Sequence, residues 1–244
     1  MKAEPDSRTV QGKDVKFSVD DFETVRTTAW EGVRNAEARN LMKEMAVGDQ
    51  VLFYHSNCKN PGVAAFAEVS KEAYPDYTAW DPAHPYYDPK TDEANPKWYM
   101  VDVTFKARTE HFIPLSLLKQ IASNQPDSEP PSDVAYIGKD GISAIKEMAL
   151  VSRGRLSVQR VEEATWAVIE KLAKGGGWDE SGKAGKVGKP KPPKPAAEQA
   201  KNGEEDVETS SGVNSKGSTV KKRKATAEDN EESKSLRRST RARK

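Results

Sequence analysis

All eighteen aromatic side chains of this 244-residue chain lie at or before Trp178. A segment with no rings and no periodic apolar face cannot bury enough surface to offset the entropy of ordering, about 1–2 kcal/mol per residue for the backbone alone. Residues 1–178 are therefore the part able to build a core, and the remainder of the chain is expected to stay disordered. Charge divides at the same place. Residues 179–244 carry 17 Lys/Arg against 11 Asp/Glu, net +6, and residues 1–178 carry 22 against 27, net −5. The boundary is read at Gly175-Gly176-Gly177, giving a domain over 1–174 and a basic, Pro/Lys-rich tail over 175–244. Within the tail, Lys189 to Pro195 reads as a polyproline-like spacer. Beyond the spacer lie two basic clusters, Lys221-Lys222-Arg223-Lys224 and Arg237 to Lys244. They fit recognition by the nuclear import machinery or sequence-independent phosphate contact.

Cys58 is the single cysteine, so no intramolecular disulfide framework exists, which suits a reducing compartment. No run of about 18 apolar residues is present, and no membrane span is expected. The first residues lack the apolar stretch of a secretory signal. These features place the chain in the cytosol or nucleus, and the basic clusters favour the nucleus. No internal repeat is found.

Local pattern predicts an α+β domain. Ser18 followed by Asp20 and Asp21 reads as a capped helix start. Asn35 caps a second helix whose stripe is Ala38, Leu41, Met42 and Met45, with Gly48 as its stop. Val51 to His55 reads as a mostly buried strand, and Asn60-Pro61-Gly62 as a turn into a second strand, Val63 to Val69. Five rings between Tyr74 and Pro96 predict a packed loop rather than disorder. A third strand, Trp98 to Phe105, alternates Tyr99, Val101, Val103 and Phe105 against Asp102 and Thr104. Pro114 opens a short helix, residues 122–140 read as a surface insertion, and Ile142 to Met148 as another helix. Arg155 to Val158 looks strand-like, and Trp166, Ile169 and Leu172 mark a closing amphipathic helix.

Short motifs set rings beside hydrogen-bonding side chains at the edges of these elements. They are Met1 to Pro5, Trp30-Glu31-Gly32-Val33-Arg34-Asn35, Phe53-Tyr54-His55-Ser56-Asn57-Cys58, Ala73 to Asp76 and Asn95 to Trp98. A site that stacks a flat polar ring and reads its edge needs both residue types, and a nucleobase is the leading ligand of that kind. These motifs, with Tyr87-Asp88-Pro89, Met100 to Val103, Phe112 to Leu115 and Arg155 to Gln159, resemble in order the EVE domain. This is a PUA-like module related to the YTH readers of methylated RNA, and the likeness is to its thymocyte nuclear protein family over about residues 1–173. The resemblance implies a mixed β-barrel flanked by short helices, with a pocket at one end that takes modified bases in DNA such as methylated or oxidised cytosine. Three departures stand out. A Trp-Leu pair that opens the family's first strand is missing before Met1, which leaves a shortened strand or a late start open. Ala3 stands for a family Ser, and Arg160 for a proline.

The candidate base pocket is Trp30, Gly32, Val33, Arg34, Asn35, Tyr54, His55, Ser56, Asn57, Tyr74 and Trp98. Trp30, Tyr54 and Trp98 are its expected lining; base–ring stacking is worth about 1–3 kcal/mol. Gly32 permits a close backbone approach, Arg34 offers a planar fork of donors, and Asn35 can read a base edge unless helix capping occupies it. Each ring also has a plain alternative in core packing, and Arg34 in an internal ion pair. Arg153 and Arg155 are phosphate candidates, with a solvated turn as the alternative. Zinc needs about four ligands, and three His and one Cys supply no paired spacing. The expectation is a monomeric, nuclear, DNA-binding module without cofactor or catalysis. Its rivals are a hydrolase or nuclease using Cys58 or a metal on Asp76 and Asp81, and a protein-binding adaptor.

Overall fold

The structure, a computed structural model, describes residues 1–180; the spacer and both basic clusters of the tail lie outside the described residues. Strand β1 (Lys2–Ala3) leads into a small hairpin, β2 (Thr9–Val10) and β3 (Lys13–Asp14), turned by Gln11 and Gly12, both at positive φ. Helix α1 (Val19–Val25) precedes β4 (Thr27–Ala29), and α2 (Ala36–Lys43) precedes β5 (Gln50–His55). Two long strands, β6 (Gly62–Pro75) and β7 (Tyr99–Pro114), enclose the ring-rich loop. Helices α3 (Leu115–Ala122), α4 (Gly138–Glu147), α5 (Ala149–Ser152) and α6 (Glu163–Gly175) come after them.

One five-stranded mixed sheet runs β1-β5-β6-β7-β4, with β1 parallel to β5 and the other neighbours antiparallel. Alternation along β5 sorts its side chains: Val51 and Phe53 join one core, Leu52 and Tyr54 the other. That explains why this strand reads as a continuous apolar run, since both faces are covered. Residues from α1 and α2, including Phe22, Ala38 and Met42, fill the first core; α3, α4 and α6 supply Leu118, Ile121, Ile145, Ile169 and Leu172 to the second. Four register shifts between β6 and β7 bend the central pair.

The expected mixed sheet and flanking helices are present, but the sheet is not closed into a barrel. Its edges are β1 and β4, two and three residues long, too short to zip together. On the β1 side the only backbone–backbone bond to this segment among the described residues is Lys2 N–H to the Ser157 carbonyl at 3.0 Å, with Lys2 Nζ donating to the Gly154 carbonyl at 2.7 Å, so Arg155 to Val158 lies alongside as a loop and not as the expected strand. Ser18 and Asp21 form a full capping box on α1, and the Asn35 side-chain oxygen accepts from the Glu37 and Ala38 N–H groups on α2. Helix α2 stops at Lys43; Gly48, at φ +97°, instead turns the chain into β5. Nor is 122–140 wholly a surface insertion, because a 3₁₀ segment, Ser132–Ile137, buries Val134 and Ile137 in the second core. Past the glycine run the chain is still anchored, Trp178 Nε1–H donating to the Phe112 carbonyl at 2.9 Å.

Candidate functional site

A cleft of about 750 Å³ opens where the short edge elements converge. Lys2, Ala3 and Glu4 form one side, with Ser56, Asn57, Gly154, Arg155 and Ser157 beside them. The hairpin strand β3 and Val15 to Phe17 form another. The end of β4 continues into Trp30 to Arg34, and His84, Pro85 and Tyr86 of the ring-rich loop close the remaining wall. Phe17, Trp30 and Tyr86 are its rings. Lys2, Lys13, Lys16, Arg34 and Arg155 share the lining with Glu4, Asp14 and Glu31. Lys16 and Arg34 are ion-paired with Asp21 and Asp76, which leaves Lys2, Lys13 and Arg155 as the lining cations without a carboxylate partner among the described residues.

The 30–34 turn is held from behind by Asp76, which is fully buried. Its Oδ2 accepts from Gly32 N–H at 3.0 Å and from Arg34 Nη1 at 2.7 Å; its Oδ1 accepts from Thr78 N–H at 3.0 Å and the Thr78 hydroxyl at 2.5 Å. Burial pushes this carboxyl upward, but the Thr78 and Arg34 donors together pull it below the usual carboxylate range. Arg34 also donates from Nε to the Tyr86 carbonyl at 2.6 Å. Its Nη2 is buried with no hydrogen-bond acceptor among the described residues, and the guanidinium lies 5.8 Å over the Trp98 ring, which offsets part of that cost. Gly32 sits at φ +76°, and a Cβ there would fall 2.6 Å from the Tyr86 ring. The glycine is required twice over, by its backbone angle and by that ring.

The cleft thus gathers Trp30, Gly32, Val33, Arg34, Ser56, Asn57 and Arg155 from the candidate list and leaves the others outside its lining. Trp30 is its floor and still belongs to the core, edge-on to Phe17 and Phe53. Tyr54 is buried in the second core, where burial pushes its hydroxyl up to about 12. Trp98 is buried and donates its indole N–H to Asp88 at 2.7 Å. Tyr74 donates its hydroxyl to Asp102 at 2.5 Å. The Asn35 side-chain oxygen is spent on the α2 cap. Arg153 is locked in a bidentate pair with Glu37 at 2.6 and 2.7 Å. His55 Nε2 accepts from Val19 N–H at 3.0 Å, and burial holds the imidazole below its ordinary range. It caps a helix start as a neutral ring.

The span that builds this fold also matches known proteins. A family model for the EVE domain matches residues 1–172. This chain belongs to the EVE domain family. Human thymocyte nuclear protein 1 is 44% identical over 174 residues, 70% of this chain and 72% of the human one. The crystal structure of the DUF55 domain of that human protein aligns with a TM-score of 0.62 at 41% identity, over 71% of this chain and 96% of its own. A second crystal structure, human THYN1 protein in complex with 5-methylcytosine-containing DNA, aligns with the same score and identity, covering 71% and 95%.

In this EVE domain the residues considered for catalysis have the following surroundings. The Cys58 thiol is pushed up by burial, away from the thiolate that a nucleophile needs. Each histidine has a partner: Val19 N–H for His55, Glu31 for His84 at 3.1 Å, and Glu180 for His111 at 2.8 Å. Asp76 is saturated by four donors, and Asp81 accepts from Ala83 N–H at 2.9 Å. Among the described residues no group of three or more His, Cys, Asp or Glu is placed to hold a metal.

Two walls of the cleft, the hairpin and residues 84–86, have no sequence motif to mark them. In the sequence Tyr86 is only one ring of a packed loop, and Lys13, Lys16 and Phe17 belong to no recognisable pattern. Gly32 is the available signal: an invited close approach implies an approaching ring, and Tyr86 is that ring.

Proposed function

We propose that this EVE domain is a nuclear DNA-binding module, and not an enzyme, that takes one methylated or oxidised cytosine into the cleft. The carrying observation is the conjunction of Phe17, Trp30 and Tyr86 with the unpaired cations Lys2, Lys13 and Arg155 in a fold shared with human THYN1, which was crystallised with 5-methylcytosine-containing DNA. A cleft of about 750 Å³ falls within the range of about 300–1,000 Å³ usual for small-ligand sites, so a single extruded base fits. Stacking supplies affinity and groups on the walls supply discrimination. Arg155, exposed at the rim, contacts a flanking phosphate. Tyr54, Tyr74 and Trp98 hold the frame in place of the ligand. The basic clusters at Lys221-Lys222-Arg223-Lys224 and Arg237 to Lys244 direct nuclear import, and the tail's net +6 adds attraction to DNA that is indifferent to the base.

Binding isotherms for oligonucleotides that differ only in one cytosine, methylcytosine or hydroxymethylcytosine test this reading. A modified base should bind more tightly, and Tyr86→Ala should narrow the difference. Equal affinity for all three, unchanged by Tyr86→Ala, would leave no base-reading role.

A further inference from the structure

A chain of hydrogen bonds links two walls of the cleft, and Glu4 stands in the middle of it. Glu4 precedes Pro5, which biases its backbone towards extended conformations. Its carbonyl accepts from Phe17 N–H at 2.7 Å, and the Ala3 carbonyl before it accepts from Ser56 N–H at 2.7 Å and the Ser56 hydroxyl at 3.0 Å. The main chain is thus clamped on both sides. The Glu4 side chain, 23% exposed, is held through one oxygen: Oε2 accepts from Arg8 Nε at 2.5 Å and from Asn57 Nδ2 at 3.3 Å. Arg8 Nη2 donates onward to the Tyr86 hydroxyl at 3.5 Å, and Asn57 and Tyr86 line the cleft together with Glu4. The other oxygen, Oε1, has no hydrogen-bond donor among the described residues. Of the remaining carboxylates on the lining, Asp14 takes three donors, and Glu31 is 40% exposed and held by His84 alone.

We propose that Glu4 is the group that distinguishes cytosine from thymine, its free oxygen accepting a hydrogen bond from the exocyclic 4-amino group; this rests on the base-reading function proposed above. 5-Methylcytosine and thymine share a pyrimidine ring, the C5 methyl and the 2-carbonyl, so neither stacking nor a space for the methyl can separate them. They differ at position 4, an amine in one and a carbonyl oxygen in the other. An ionised carboxylate only accepts, so the amine suits it and the thymine oxygen repels it. Thymine's ring donor, N3–H, lies between two carbonyl oxygens, so approach to it meets the same repulsion. Guanine fits poorly too. Its N1–H and 2-amino group suit both oxygens of a carboxylate, and here Oε2 is already taken by Arg8 and Asn57. An acceptor fixed before the base arrives loses little side-chain freedom on binding.

The test is binding of the full chain, wild type and Glu4→Gln, to oligothymidine strands whose central position holds thymine, cytosine, 5-methylcytosine or adenine, with urea unfolding of both proteins. Glutamine keeps an acceptor for Arg8 and Asn57 and adds an NH2 able to donate to the thymine 4-carbonyl. Wild type should prefer 5-methylcytosine to thymine by about 10- to 100-fold, the range of one hydrogen bond to a charged group. In Glu4→Gln the preference should collapse towards equality at an unchanged urea midpoint, a change of selectivity that a merely structural role would not produce. A preference that Glu4→Gln leaves intact, or an affinity loss equal for every strand, overturns the proposal. A strand carrying 5-methyl-2-pyrimidinone, which lacks the 4-amino group, tests wild type without any substitution: it should lose the advantage of 5-methylcytosine, and full affinity would overturn the proposal. Adenine also carries an exocyclic amine beside a ring acceptor; if it outranks 5-methylcytosine, the assignment to cytosine is overturned. If cytosine and 5-methylcytosine bind alike, yet both outrank thymine only while Glu4 is present, Glu4 stands as the amine acceptor and the modified-base reading falls.

Discussion

Replacing Gly32 by alanine probes the cleft wall at its tightest point. At φ +76° an L side chain costs about 1–2 kcal/mol. The new methyl would also sit 2.6 Å from Tyr86 Cδ2 and 3.1 Å from Cε2, so the ring must move. Tyr86 is tethered through its carbonyl to Arg34 Nε, and its hydroxyl accepts from Arg8 Nη2 at 3.5 Å, so movement has the cost of overpacking, about 1–3 kcal/mol. Urea denaturation of the full chain should show roughly 2–5 kcal/mol lost, against an ordinary domain stability of about 5–15 kcal/mol. Tyr86→Ala removes the obstacle and leaves the backbone penalty. In the double variant the two losses should therefore fall short of additivity by about 1–3 kcal/mol. Strict additivity would mean that Tyr86 does not press on Gly32, and the wall could not be held in the way described.

Three further outcomes are expected. Asp76→Asn leaves the Arg34 guanidinium without its buried carboxylate and should cost about 3–5 kcal/mol in urea unfolding, with Thr78→Ala costing far less. His55 is neutral when folded, with its pKa depressed by burial; the unfolded ring takes a proton from about pH 6.5 downward. Its contribution is therefore full above that pH and lost as pH falls towards the folded value, and His55→Gln should flatten this limb of a stability–pH curve. Arg155→Ala should weaken DNA binding equally for modified and unmodified strands, whereas Arg153→Ala should leave it unchanged, since Arg153 is committed to Glu37; equal losses from both would contradict the placement.

The legible part of the sequence is local. Helix starts announce themselves because Ser18 and Asn35 satisfy nearby N–H groups within three residues, and the alternation of β7 survives because one strand carries it. The edges are not legible. β4 and the β2–β3 hairpin have two or three residues in each strand, too few for any periodicity, and exist because β7 and the Gln11-Gly12 turn support them. Closure of the sheet depends on whether such short edges meet, which no single segment encodes. For the site, the Trp30 to Asn35 motif points to a turn that lines the cleft, but its residues divide between lining and scaffold. That Arg34 and Trp98 have internal partners is hidden in the sequence, because a buried guanidinium and a buried indole have the same composition as exposed ones. Only the partners Asp76 and Asp88, 42 and 10 residues away in sequence, reveal the difference.

The most direct test of base reading in the cleft is a crystal structure of this chain with a short duplex containing one 5-methylcytosine. The expected result is that base extruded from the helix and seated against Phe17, Trp30 and Tyr86, with a flanking phosphate at Arg155. A modified cytosine still stacked in the duplex, or bound on another face of the domain, would contradict it.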